Sequence, residues 1–191
     1  MNYREDNFYI KKVLKGNLPS YAILVEKHKS LAYTLSLRIS KNHEDAEEIA
    51  QDSFLKAYNS LNTFRQESKF TTWLYKIVYN TAISRFRKKH IESFSMEDSP
   101  IQESTQGEDI DGLDIMHHKE RKKIISKAIS RLKEDEGVVM TLFYLSENNI
   151  KEIEEITGLT NSNIKILLHR GRKNLLFELK KILKEEIVDI L

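Results

Sequence analysis

The chain has 191 residues, and its 31 Lys plus Arg nearly balance its 29 Asp plus Glu, so a net charge of +2 singles out no partner; only the distribution of charge can. There is no Cys, which excludes disulfides and thiolate metal sites and fits a reducing compartment. The opening MNYREDNFYIKKVLKG lacks the apolar run of a signal peptide, and no stretch reaches the ~20 apolar residues of a membrane span, so a cytoplasmic protein without membrane insertion is expected.

Two Pro and six Gly, set among abundant Leu, Ile, Lys and Glu, predict an all-α fold. The first helix is expected over roughly Asp6–Lys15. Pro19 suits the first turn of a second, whose apolar repeat is Ala22, Val25, Leu31, Leu35 and Ile39. A third runs from about Glu44 to Leu61 and a fourth from about Ser68 to Lys89, which together define a first helical domain over 1–91. Composition then changes. Between 92 and 115 stand Glu92, Glu97, Asp98, Glu103, Glu108, Asp109, Asp111 and Asp114, with no Lys or Arg, and Pro100, Gly107 and Gly112 break any helix. This predicts an acidic flexible linker. Helical periodicity resumes in a second domain, 116–191, with Ile124, Ile125, Ala128, Ile129 and Leu132, then Val138 through Leu145, then a helix-turn-helix candidate.

On the third helix, Ala46, Ile49, Ala50, Ser53, Phe54, Ala57 and Leu61 share one face, while Asp45, Glu48 and Asp52 fall opposite with Gln51 beside them. Acidic residues early in a helix suit its dipole, and charge runs are usually solvated, so this face alone does not demand a partner. On the fourth helix, Phe70, Trp73, Leu74, Ile77 and Thr81 follow helical spacing, which favours core over a base-stacking platform. Phe64 in the preceding loop is open to either role. Lys76, Asn80, Arg85, Arg87, Lys88 and Lys89 differ: a basic helix end beside amides and aromatics suits a nucleic-acid backbone with splayed bases.

Near the C-terminus, Ile153 and Ile156 line one helix, Thr157-Gly158-Leu159 makes a turn, and Thr160 is a good N-cap for the next. That helix turns Ile164, Leu167, Leu168, Gly171 and Leu175 inward. Ser162, Lys165, Ile166, His169 and Lys173 point outward, flanked by Arg170 and Arg172. An ordinary helical hairpin with a solvated face is the plain alternative, but the turn chemistry and clustered cations favour a recognition helix in the major groove. His169 has no second ligand at helical spacing, so phosphate or base contact suits it better than metal. No phosphate loop, metal cluster or nucleophile–base arrangement occurs, so neither a cofactor nor a catalytic residue is expected, and the protein is not read as an enzyme.

Two segments carry a resemblance. DAEEIAQDSFLKAYNSLNTFRQESKFTTWLYKIVYNTAISRFRKK, residues 45–89, resembles region two of bacterial RNA-polymerase sigma factors of the extracytoplasmic-function (ECF, group-four) subgroup, and ITGLTNSNIKILLHRGRKNL resembles their region four. The resemblance implies that Asp45, Glu48, Gln51 and Asp52 dock on the clamp helices of the largest subunit of core RNA polymerase. It implies that Phe64, Lys69, Lys76 and Asn80 contact the −10 element during melting, the basic Arg85, Arg87 and Lys88 adding to that surface, although Thr71 and Tyr79 stand where many members carry Arg. It further implies that this helix reads the −35 element; by position along it, Ser162, Lys165, Ile166 and His169 are expected at base edges, and Arg170, Arg172 and Lys173, further along, at phosphate. Here Glu154 occupies a position that is usually small, and Ile166 and Leu167 replace a pair that is often polar or basic. Core polymerase with its clamp helices and flap, promoter DNA and an anti-sigma factor are the implied partners. The opposing class is a stand-alone helix-turn-helix regulator, which would not need residues 45–89.

Overall fold

The computed structural model describes residues 3–93 and 124–188, so the expected linker lies outside the described residues from position 94 on. Four helices form the first block: α1 (Tyr3–Leu14), α2 (Pro19–Ser40), α3 (His43–Asn59) and α4 (Phe70–Ser93). The second block holds α5 (helical residues 124–130), α6 (Glu134–Met140) continuing into a π-helical turn over Thr141–Leu145, α7 (Ile150–Thr157) and α8 (Asn161–Val188). Among the described residues there is no strand, as the sequence predicted.

The helices end where local chemistry ends them. Gly16, at φ +90, makes the α1–α2 turn in a conformation that side chains rarely adopt. The Asn42 side chain caps α3 by accepting the Asp45 N–H at 2.9 Å. The α3 stripe read from sequence is buried throughout, from Ala46 to Ala57 and on to Leu61. The α2 repeat is set differently. Its buried positions are Ser20, Leu24, His28, Ala32, Leu35, Ser36 and Ile39, and Ala22 is exposed. The apolar alphabet hid this phase because His28 and two serines occupy core positions.

His28 is fully buried, with its ring 5.6 Å from that of Phe70 and 6.4 Å from that of Tyr75. Its Nε2 lies 3.3 Å from Asp6 Oδ2, and Lys27 Nζ donates to Asp6 Oδ1 at 2.7 Å and to Glu5 Oε2 at 3.0 Å. Polar chemistry thus pins α1 to α2. Burial alone would raise the Asp6 pKa, but interactions with His28 and Lys27 outweigh it and hold the carboxyl below its ordinary 3.8. The unfolded chain therefore binds this proton more tightly, so the stabilisation is complete above pH ~4 and is lost as pH falls through the folded pKa. Asp6→Asn should lower the unfolding free energy at pH 7 by about 1.5–3 kcal/mol. It should also flatten the acid limb, as checked by denaturant titrations between pH 7 and 2. Parallel acid limbs for variant and parent would show that Asp6 is not the group responsible.

The second block is built on a capped helical corner. Asn149 and Glu152 cap α7 reciprocally, the Asn149 side chain accepting Glu152 N–H and the Glu152 carboxylate accepting Asn149 N–H. Gly158, at φ +73, ends α7, and Thr160 Oγ1 accepts Asn163 N–H at 3.3 Å to open α8. Ile164, Leu167, Leu168 and Gly171 are buried as expected, and Leu175 is half-buried. A Cβ on Gly171 would lie 2.8 Å from Met140 Cγ, so glycine lets α8 close on α6.

The two blocks are in contact. α7 packs on α4 and α6 on α2, so one apolar core runs from Ile10 through Phe70 to Leu168. Polar contacts flank the seam. Arg38 Nη2 donates to Ser126 O at 3.1 Å, Lys41 pairs with Glu134 at 3.8 Å, and Lys69 pairs with Glu152 at 2.9 Å. Burial of the Arg38 guanidinium lowers its pKa to about 10.

Candidate functional site

The acidic face of α3 is turned toward solvent and toward the end of α4. Glu48 and Asp52 side chains are 59% and 54% exposed, whereas Asp45 is mostly covered. Gln51 is exposed beside them. The structure brings Arg85 to this face. Its guanidinium hydrogen-bonds Glu48 and lies 3.7 Å from Asp45 and 4.0 Å from Asp52. In the sequence Arg85 belongs with the basic end of α4, because nothing in the chain reveals which helix lies across from it.

Next to this face runs a groove of about 290 Å³ between α3 and α4, lined by Lys56, Ser60, Ile77, Asn80, Thr81 and Ser84. Asn80 and Lys76 are exposed, as are Arg87 and Lys88. Lys56 Nζ donates to Thr81 Oγ1 at 3.2 Å, which ties the helices together and places one more ammonium beside Asn80. Lys56, Ser60 and Ser84 were missed in the sequence. A signal existed, since Lys56 sits one turn from Ser60, but only knowledge of the α3–α4 register gives it meaning.

Phe64 and Lys69 are placed otherwise. Phe64 is buried, 5.8 Å from the Phe70 ring and 5.4 Å from that of Trp73, so it closes an aromatic cluster under the loop. Trp73 is half-buried there. Lys69 reaches across to Glu152, the capping residue of α7. Thr71 is buried, and Tyr79 is half-buried with its pKa raised by burial and by the nearby Asp135 and Glu134.

On α8, Ser162, Lys165, Ile166, His169, Arg170, Arg172 and Lys173 are all exposed. Arg172 is partly committed. Its Nε donates to Tyr144 OH at 2.7 Å, and its guanidinium lies 5.7 Å from the Phe143 ring centroid, so the π turn positions it. Lys165 and Lys173, two turns apart, and His169 between them form a cationic and polar strip on the outer side of the corner.

A helical pair bearing acidic and basic side chains, followed by a capped helix-turn-helix, is the architecture of a helical DNA-binding protein. Sigma-70 region 2 matches residues 24–91, and Sigma-70, region 4 matches residues 122–175. The ECF RNA polymerase sigma factor SigW of Bacillus subtilis (strain 168) is 33% identical over 179 residues, covering 91% of this chain and 96% of the relative. The RNA polymerase sigma-H factor of Pseudomonas aeruginosa is 26% identical over 191 residues, 97% of this chain and 99% of the relative. Among solved structures, the sigma factor RpoE in complex with the anti-sigma factor NepR from Bartonella quintana superposes with a TM-score of 0.66 at 22% identity, over 82% of this chain and 96% of that one. The chain belongs to the ECF sigma factors of the sigma-70 family, and its role is in transcription initiation.

Proposed function

We propose that this protein binds core RNA polymerase through the α3 acidic face, opens the −10 element along the outer edge of α4, and reads the −35 element with α8. The observation that carries this reading is the α3–α4 pair, which leaves Glu48 and Asp52 exposed on α3 and Lys76 and Asn80 exposed on α4. A stand-alone helix-turn-helix regulator has no use for such a pair. Promoter DNA and the clamp helices and flap of core polymerase are the proposed partners. An anti-sigma factor is proposed as a further one, because the RpoE neighbour was solved with NepR.

The contact between the blocks bears on this function. A compact body made of the described residues 3–93 and 124–188 has a radius of gyration of roughly 15 Å. Elements roughly 25 base pairs apart, as the −35 and −10 names imply, lie ~85 Å apart along B-form DNA. The packed arrangement is too small to span them, so α6–α8 must leave α2 and α4 before both elements are held.

The test is run-off transcription with purified core polymerase on a promoter selected by the holoenzyme. Charge reversal of Glu48 and Asp52 to Lys should weaken core binding at least about tenfold, since rearranging charges at such an interface changes like-sign contacts by more than 1 kcal/mol each. Helical content should stay intact. Unchanged co-purification with core enzyme would remove the docking assignment.

A further inference from the structure

Arg85 is the residue whose environment least matches the role its sequence suggests. It sits in the basic stretch of α4, near the exposed Arg87 and Lys88, yet its guanidinium turns away to α3. There it meets three carboxylates that no other α4 cation meets among the described ion pairs: Glu48 by a hydrogen bond, Asp45 at 3.7 Å and Asp52 at 4.0 Å. These carboxylates lie along one side of α3 at spacings of three and four residues, so they repel one another, and a single cation between them relieves that repulsion. The Arg85 side chain is 35% exposed, and Glu48 and Asp52 remain more than half exposed around it. The carboxylates are therefore still reachable by an incoming partner, with a guanidinium already among them.

We propose that Arg85 belongs to the polymerase-docking surface, where it is a built-in counter-cation of the α3 acidic face that competes with the cations of the partner. The inference rests on the proposed docking of that face on core polymerase. A partner surface that meets Asp45, Glu48 and Asp52 must itself be basic by charge complementarity. Arg85 cancels one of the three negative charges it would be attracted to, and its own charge faces the partner's. It is a positioning residue that holds the carboxylates together and sets how strongly they attract. Guanidinium suits this because its planar fork can donate to several carboxylates at once, whereas a lysine ammonium in the same place would keep the charge and lose the geometry. Exposed pairs of this kind contribute little to folding, so the role is read out in binding.

The experiment measures the affinity of the full-length chain for purified core polymerase as a function of salt, for the parent, Arg85→Gln, Arg85→Lys and Glu48→Lys/Asp52→Lys. Arg85→Gln keeps the aliphatic stem and is expected to bind core about three- to tenfold more tightly near 0.01 M salt, where the Debye length is ~30 Å, with the gain shrinking toward 0.15 M as it falls to ~8 Å. Arg85→Lys, which keeps the counter-charge without the fork geometry, should fall between the parent and Arg85→Gln in affinity, with a smaller gain at low salt than Arg85→Gln. An arginine that served only to hold the fold would give the opposite result, weaker core binding together with a lower melting temperature in Arg85→Gln, and this overturns the inference. So does unchanged core affinity in Arg85→Gln with a shallower salt slope for promoter binding by the assembled holoenzyme, which would return Arg85 to the DNA. The Glu48→Lys/Asp52→Lys arm separates the two levels. If it leaves core binding unaltered, the docking face itself is wrong; if it weakens binding while Arg85→Gln does nothing, the face stands and only the role of Arg85 falls.

Discussion

Alanine at Lys76 and Asn80 together should slow opening of a duplex promoter by about 10- to 100-fold, while activity on a template already unpaired across the −10 element should fall by less than about threefold. The proposed function requires bases to leave the stack, which costs a few kcal/mol, and contacts to the extruded strand must offset that cost. Lys76 and Asn80 project from the outer edge of α4, with Asn80 on the groove that also holds Lys56 and Ser84. An ammonium and an amide at that edge can meet a phosphate and a base edge of the displaced strand, where stacking and allied contacts are worth ~1–3 kcal/mol per base. A pre-melted template has already met the unstacking cost, so losing those contacts affects it less. Permanganate reactivity of −10 thymines, followed with time, is the measurement. Equal losses on the two templates would mean that the pair contributes to a step other than melting.

Phe64 is a poorer subject for the same experiment, although sequence spacing admits it as a stacking residue. Its ring is buried against Phe70 and Trp73, and truncating a buried Phe costs about 3–5 kcal/mol of stability. An alanine there would confound promoter opening with loss of the loop. The ring becomes available to a base only after leaving its cluster. Lys69 is similarly engaged, by Glu152 of α7.

What the sequence disclosed and what it hid follow a physical division. Periodicity is local, so the α3 stripe from Ala46 to Leu61, the inward set of α8 and the Gly158 turn were legible and stand in the structure. The α2 phase was half-legible, because burial of His28 depends on Asp6, more than twenty residues away, and no window along α2 contains it. Contacts between helices far apart in sequence were not legible at all. Arg85 reads as one more cation until α3 is laid beside it. Tyr79 reads only as a departure from the Arg that many family members carry there, and the fold alone brings Glu134 and Asp135 near it. The packing of the second block on the first was missed for the same reason, since each block has a self-consistent pattern and neither announces a partner surface.

That packing carries the second large expectation. A short bis-maleimide bridge between cysteines introduced at Lys41 and Glu134 should abolish initiation at promoters that carry both elements, with at least about a tenfold loss of run-off product. The parent chain has no Cys, so only the introduced pair reacts, and the two side chains meet at 3.8 Å across the α2–α6 seam. Neither residue is assigned to DNA or polymerase, and the same double variant left unbridged is the control, expected to initiate near the parent level. The bridge holds α6 on α2, and with it α7 on α4, so the −10 and −35 surfaces stay within a body far shorter than the ~85 Å between their targets. Normal initiation by the bridged protein would show that the blocks need not separate, and the spanning argument would then be wrong.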